Sequence, residues 1–171
     1  LYLPLGTWTV FFESPGYDVV SKTITVSSFN SPVDVDIDLI PSSLTKGTLS
    51  KSGSEQIGTT VNFTYTAPDD AGDIYWITLA ATTSPGWDLG GCREVDLTPD
   101  GLFLAMAFPN ALLVNQIGTL NGSGVGTADL LIPNIPALVG LTLHSAGMTI
   151  NTGYASNIKN FSDPISVTFQ P

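Results

Sequence analysis

The residues of this chain with chemistry to offer are few: two acidic runs, one histidine, one cysteine and a tryptophan–aspartate pair. Asp69-Asp70-Ala71-Gly72-Asp73 is the better acidic run for holding a cation. Calcium takes about six to eight oxygen ligands, and a glycine-bearing loop can curl its oxygens inward. Asp69, Asp70 and Asp73 are therefore candidate Ca²⁺ ligands, at this loop or between acidic loops of neighbouring chains. The run is shorter than an EF-hand loop and lacks its terminal glutamate. A plain acidic hairpin turn is the simpler reading, and the one we adopt. In the second run Asp34, Asp36 and Asp38 alternate with Val33, Val35, Ile37 and Leu39. Carboxylates two apart on a strand stand roughly 6.5–7 Å from each other, too far for one ion without help from loops. This run reads as the solvated face of a strand, where charge discourages edge pairing.

One histidine leaves little for acid–base chemistry, and no Gly-x-Ser-x-Gly elbow marks a nucleophile. His144, among Leu143, Ser145 and Ala146, reads as a packed or interface residue. Cys92 follows Gly90-Gly91 and precedes Arg93, whose charge favours a reactive thiolate. A buried inert thiol is the simpler expectation, and a bond between chains a third. Trp87 and Asp88 lie in Ser84-Pro85-Gly86-Trp87-Asp88, which reads as a loop. An exposed indole beside a carboxylate can stack on a sugar ring and hydrogen-bond its hydroxyls, so the pair is the candidate carbohydrate site. Capping one end of a core is the simpler role for Trp87, and the one we adopt. A glycoside hydrolase would need two facing acids, and nothing in the spacing selects a pair. Asn62, Asn121 and Asn160 each open an Asn-x-Ser/Thr triplet, which matters only where the host glycosylates asparagine.

Composition narrows the classes further. Fifteen acids against five bases give a net charge of −10, which excludes a binder that works by neutralising nucleic-acid phosphate. The same balance argues against docking on anionic lipid. A single cysteine excludes a disulfide within the chain. The longest apolar stretch, around Leu130 to Leu143, is broken by Pro133, Asn134, Pro136 and Gly140 and cannot form a membrane-spanning helix. No cofactor is expected apart from the calcium candidate. With Leu1 first, the chain reads as a processed product or as a piece of something longer.

The elements that must position these residues read as strands. Gly and Pro punctuate the chain throughout, and short alternating runs recur between turn clusters, which is the all-β pattern. Near the N-terminus the runs are Thr7–Glu13, Asp18–Val26 and Val33–Ile40, with Ser14-Pro15-Gly16 as a turn. Trp8, Val10, Phe12, Val20, Ile24 and Val26 fall on one face. Pro41-Ser42-Ser43 reads as a linker. Beyond it the expected strands are Thr45–Ser50, Thr59–Thr66, Asp73–Thr82, Gly101–Phe108, Gly124–Ile132, Leu141–Ile150 and Pro164–Phe169. Tyr75, Ile77 and Leu79 form the core face of the third. Pro136–Gly140 reads as a single helical turn.

Two family resemblances sit on these motifs. Leu3-Pro4-Leu5-Gly6-Thr7-Trp8-Thr9-Val10, Pro15-Gly16-Tyr17, Ile24-Thr25-Val26 and Val35-Asp36-Ile37-Asp38-Leu39 make residues 1–41 resemble the closing half of a carboxypeptidase-regulatory-like or PEGA-type module. That resemblance implies a small non-catalytic β-sandwich of secreted and surface proteins, here without its opening strands. Ile132-Pro133-Asn134-Ile135-Pro136-Ala137-Leu138-Val139-Gly140-Leu141-Thr142-Leu143 makes residues 44–171 resemble a C-terminal β-domain of secreted proteins of planctomycete- and myxobacteria-type bacteria. Ala71-Gly72-Asp73-Ile74-Tyr75, Gly90-Gly91-Cys92 and Ile165-Ser166-Val167-Thr168-Phe169 support it. This chain departs from the pattern at Ala146, where a glutamine is usual.

The expected fold is all-β: an antiparallel, Ig-like β-sandwich over 44–171, preceded by a partial second sandwich module (1–41) and a linker (42–43). The expected role is a non-catalytic structural module, extracellular or at the cell surface. Its leading form is a fibre subunit assembled by β-strand complementation through Trp8, Val10, Phe12 and Ile24. The partners are then copies of the chain or upstream domains of the same protein. A carbohydrate-binding or adhesion module, with glycans as partners, is the alternative.

Overall fold

The computed structural model describes residues 4–12, 20–28, 35, 37, 45–90, 93–154 and 156–171. The acidic run at 34, 36 and 38, the turn at 14–16, the linker at 41–43 and Cys92 lie outside them. So does the predicted strand over 33–40, except for the half-buried Val35 and Ile37.

The chain is all-β, with antiparallel sheets. The first two strands, β1 (Gly6–Phe12) and β2 (Val20–Val26), form a hairpin in which Trp8 faces Ile24, Val10 faces Lys22 and Phe12 faces Val20. Directly opposed residues share a face. The register therefore collects Trp8, Val10, Phe12, Val20, Ile24 and Val26 on one side, with Lys22 among them. Thr7, Thr9, Phe11, Ser21, Thr23 and Thr25 occupy the other.

Residues 48–168 build a sandwich. One sheet runs β3 (Thr48–Gly53), β4 (Thr60–Thr66), β10 (Val125–Leu131), β8 (Leu113–Val114). It alternates cleanly: Val61, Phe63 and Tyr65 on β4 and Ala128 and Leu130 on β10 point inward, while Asn62 and Thr127 are exposed. The other sheet runs β12 (Ile158–Phe161), β11 (Thr142–Ile150), β5 (Ile74–Ala80), β9 (Ile117–Thr119). A further strand, β13 (Ile165–Thr168), pairs with the first half of β11, and β12 pairs with its second half. The core between the sheets is made of Phe63, Tyr65, Ile77, Leu79, Leu113, Leu130 and Val167, among others.

The second sheet differs from the first because its outer face is also covered. The hairpin of β6 (Trp87–Gly90) and β7 (Arg93–Val95) and a helix, α1 (Gly101–Ala105), lie against it. Tyr75, Ile77 and Leu79 face the inter-sheet core as expected, while Trp76 and Ala80 face a second core with Leu89, Val95, Leu97, Phe103, Ala146 and Met148. Residues 75–80 are consequently all buried.

The stretch expected as a strand over 101–108 is the helix α1 instead. Asp100 caps it, its Oδ1 accepting the Phe103 N–H at 2.8 Å, and Oδ2 accepts the Ala81 N–H at 2.8 Å. A capping aspartate stabilises such a start by about 0.5–2 kcal/mol. The buried Phe103 and Met106 follow helical rather than alternating spacing. The strand expected from Thr45 begins at Thr48, for a reason given below. The turn at Pro136–Leu138 is a single 3₁₀ turn. No helix among the described residues is long and apolar enough to cross a membrane.

Candidate functional site

Two sheets of a sandwich must be joined by crossovers, and the acidic run lies on one. β4 belongs to one sheet and β5 to the other, so Pro68–Asp70, a 3₁₀ turn, bridges the layers and is not the tip of a hairpin. The crossover carries Asp69 outward and Asp70 inward: Asp70 is 1% exposed. Lys159, on β12, reaches both inner acids, with Nζ 2.8 Å from Asp70 Oδ1 and 3.0 Å from Asp73 Oδ2. A bulge aims it there, because Thr149 pairs with Asn160 and Ile150 with Ile158, leaving Lys159 as the extra residue. Burial alone would lower the lysine's pKa, but the Asp70 and Asp73 carboxylates outweigh it and hold the ammonium above its ordinary range.

Asp69 serves a different partner. Its Oδ2 accepts the Thr45 N–H at 2.7 Å, and this bond holds the carboxyl below its ordinary pKa. The three candidate calcium ligands therefore do not share a partner. Two close on Lys159 and one on Thr45. Among the described residues no three His, Cys, Asp or Glu side chains are grouped to hold a metal.

Asn160 completes the cluster. Its Oδ1 accepts the Gly47 N–H at 2.9 Å and its Nδ2 donates to the Thr45 carbonyl at 2.9 Å. The amide thus mimics one residue of a neighbouring strand for 45–47. Side chains of Asp69 and Asn160 replace a backbone ladder there, which is why β3 starts three residues later than the alternation suggests. Asn160 is 7% exposed with both amide atoms engaged, unlike the exposed Asn62 and Asn121 that open the other two Asn-x-Ser/Thr triplets. Asn62 lies on the exposed face and donates to Asp129 Oδ1 at 2.5 Å, and Asn121 organises a turn through the N–H groups of Ser123 and Val125. Beside the cluster, Tyr65 is fully buried with its hydroxyl 3.1 Å from Thr149 Oγ1, and burial pushes its pKa up.

The other candidates lie elsewhere. Trp87 is in strand β6, not a loop, and its ring is half-buried. It meets Trp76 and Phe103 edge-on, with centroids 6.4 Å and 5.4 Å away. Asp88 Oδ1 accepts the N–H of Gly90 at 2.7 Å. Arg93 is committed to β12: its guanidinium donates to the carbonyls of Ile158 and Lys159 and lies over the Tyr154 and Phe161 rings. His144 pairs through Nδ1 with Ser166 Oγ at 3.0 Å across β11 and β13, half-buried. The proposed assembly residues sit on the N-terminal hairpin, where Ile24 is 8% exposed and Trp8 37% exposed. Sequence reasoning missed Lys159 entirely. Alternation with Ile158 puts a lysine at 159 on the solvent face, and only the bulge turns it toward the two acids.

No family model matches the chain, and no characterised protein matches it significantly.

Proposed function

We propose that this chain is a non-catalytic structural module of an extracellular or cell-surface protein, and that it joins copies of itself through the N-terminal hairpin. One observation carries the reading. Among the described residues β1 and β2 pair only with each other, and Trp8 and Phe11 are 37% and 38% exposed on the two faces of that hairpin. An isolated two-stranded hairpin is marginal in water, and its open edges template pairing with another strand.

A second exposed apolar surface supports the choice of partner. Leu131, at the end of β10, and Ile135, Val139 and Leu141, on the connection from β10 to β11, are each 41–49% exposed. Two different apolar surfaces on one chain suit a heterologous, head-to-tail contact, which builds a ring or a fibre. A strand donated by the neighbour would complete the two-stranded sheet. The polar side chains of the sandwich end support a structural role as well, since Asp69 and Asn160 bind backbone and Lys159 its two acids. The extracellular setting rests on the two resemblances.

Sedimentation velocity across a range of concentrations tests this. Species larger than the 18.0 kDa monomer, growing with concentration and lost in Trp8→Ser, are expected. A monomer throughout the micromolar range would overturn the reading.

A further inference from the structure

We propose that Lys159 and Asp70 close an amide bond between their side chains, a covalent cross-link within the sandwich assisted by Asp73. This goes beyond the module reading and does not depend on self-association. The two groups are held by different elements, the crossover and β12, in a pocket where Asp70 is 1% exposed and the Lys159 side chain 15% exposed. Nζ stands 2.8 Å from Oδ1, in direct contact with the carboxyl group it would attack. Reactants pre-positioned in this way reach effective molarities of about 10⁵–10⁸ M.

A second observation separates Asp70 from an ordinary ion-pair partner. Among the described residues its Oδ2 has no hydrogen-bond partner and its Oδ1 faces only the Lys159 ammonium, although both are sealed from solvent. A buried carboxylate is normally satisfied by several donors, and leaving one unsatisfied is costly. An amide would remove the charge on both partners.

The step balances without an added reagent. The two carboxylates favour the charged lysine, so the first step is uphill: the ammonium passes one proton to Asp70, which leaves a neutral amine facing a carboxylic acid. Nζ then attacks Cγ of Asp70. The N–C bond forms and one C–O bond breaks. Asp73, with Oδ2 3.0 Å from Nζ, takes the second nitrogen proton and hands it to the departing oxygen. One amide and one water result, with no change of oxidation state. Asp73 is a proton-relaying residue here and ends unmodified. A chain with a single cysteine has no internal disulfide, and this amide would tie residues 70 and 159 in its place. Closing so long a loop restrains the unfolded chain.

Intact mass under denaturing conditions, followed by peptide sequencing, tests the bond. The expected mass is one water below the sequence mass, with a branched peptide joining Lys159 to Asp70. Lys159→Arg keeps the positive charge and restores the full mass. Asp73→Asn retains both bonding groups but slows the mass loss after refolding, while tryptophan fluorescence reports the same folded state. A full sequence mass in the folded wild-type chain after prolonged incubation overturns the proposal, and this outcome needs no variant. A water loss that persists in Lys159→Arg, as from a cyclic imide at Asp100-Gly101, overturns it too.

Discussion

The N-terminal hairpin and strand β5 have much the same alternation on paper, yet they end in opposite environments. β5 is buried on both faces, one against the opposing sheet and one beneath α1 and the β6–β7 hairpin. In β1–β2 only Ile24 among the large apolar residues falls to 8% exposure. Alternation reports that one face of a strand is apolar. It does not report how many layers will cover it, which depends on elements distant in sequence.

The largest expected effect breaks the well-covered side of this contrast. Ile77→Ala, at 0% exposure, should lower unfolding free energy by about 2–5 kcal/mol in a denaturant titration. Trp8→Ala should leave that of the sandwich within about 0.5 kcal/mol of wild type while abolishing self-association. Equal losses at the two sites would erase the distinction between the regions.

A somewhat smaller effect probes how closely the two sheets approach. A Cβ at Gly147 would lie 2.3 Å from the Tyr65 ring, and one at Gly126 would lie 2.5 Å from the Tyr75 ring. Each sheet thus contributes a tyrosine that covers a glycine of the other. Gly147→Ala should cost about 1–3 kcal/mol by overpacking, read as a fall in melting temperature. Next, Asp100→Ala removes the α1 cap and the bond to Ala81, and should cost about 1–2 kcal/mol. Its distinctive readout is a change in the near-ultraviolet signal of the Trp76–Trp87–Phe103 cluster, without change in the hairpin.

The smallest expected effect is a pH dependence confined to the sandwich. Glu55 is held below its ordinary pKa by its hydrogen bond from Lys51, against partial burial, with help from the Thr168 N–H. A depressed carboxyl contributes stability that is complete above its ordinary pKa and lost as pH falls through its native one. Glu55→Gln should therefore flatten the acid limb of a stability–pH curve slightly, by lowering stability a little at neutral pH and leaving it nearly unchanged at acid pH. While the bond to Asp70 is still open, Lys159 has the opposite sign. Its raised pKa contributes stability below the ordinary lysine value that is lost as pH rises through the native one. A chain in which Lys159 is acylated shows no such alkaline loss.

The sequence makes the long strands legible because they repeat a two-residue pattern over seven or nine positions, as β4, β10 and β11 do. β8 and β9, of two and three residues, are too short to show a period. Residues 101–108 misled because a five-residue helix contains barely more than one turn, and the informative residue was Asp100 outside the apolar run. The acidic crossover showed its chemistry but not its partner. Nothing local ties Asp70 to Lys159, which lies on a distant strand and reaches the acid only through a bulge. Capping a core is the favoured role for Trp87, but the sequence does not name its partners, since Trp76 and Phe103 meet it only in the folded chain.

Hydrogen exchange measured at two protein concentrations, peptide by peptide, addresses the difference between the regions most directly. Amides of 6–12 and 20–26 should exchange quickly when dilute and become protected as concentration rises, while those of 74–80 stay protected throughout. Protection of the hairpin that is high and independent of concentration would contradict the account, because a partner within the same chain would then cover it.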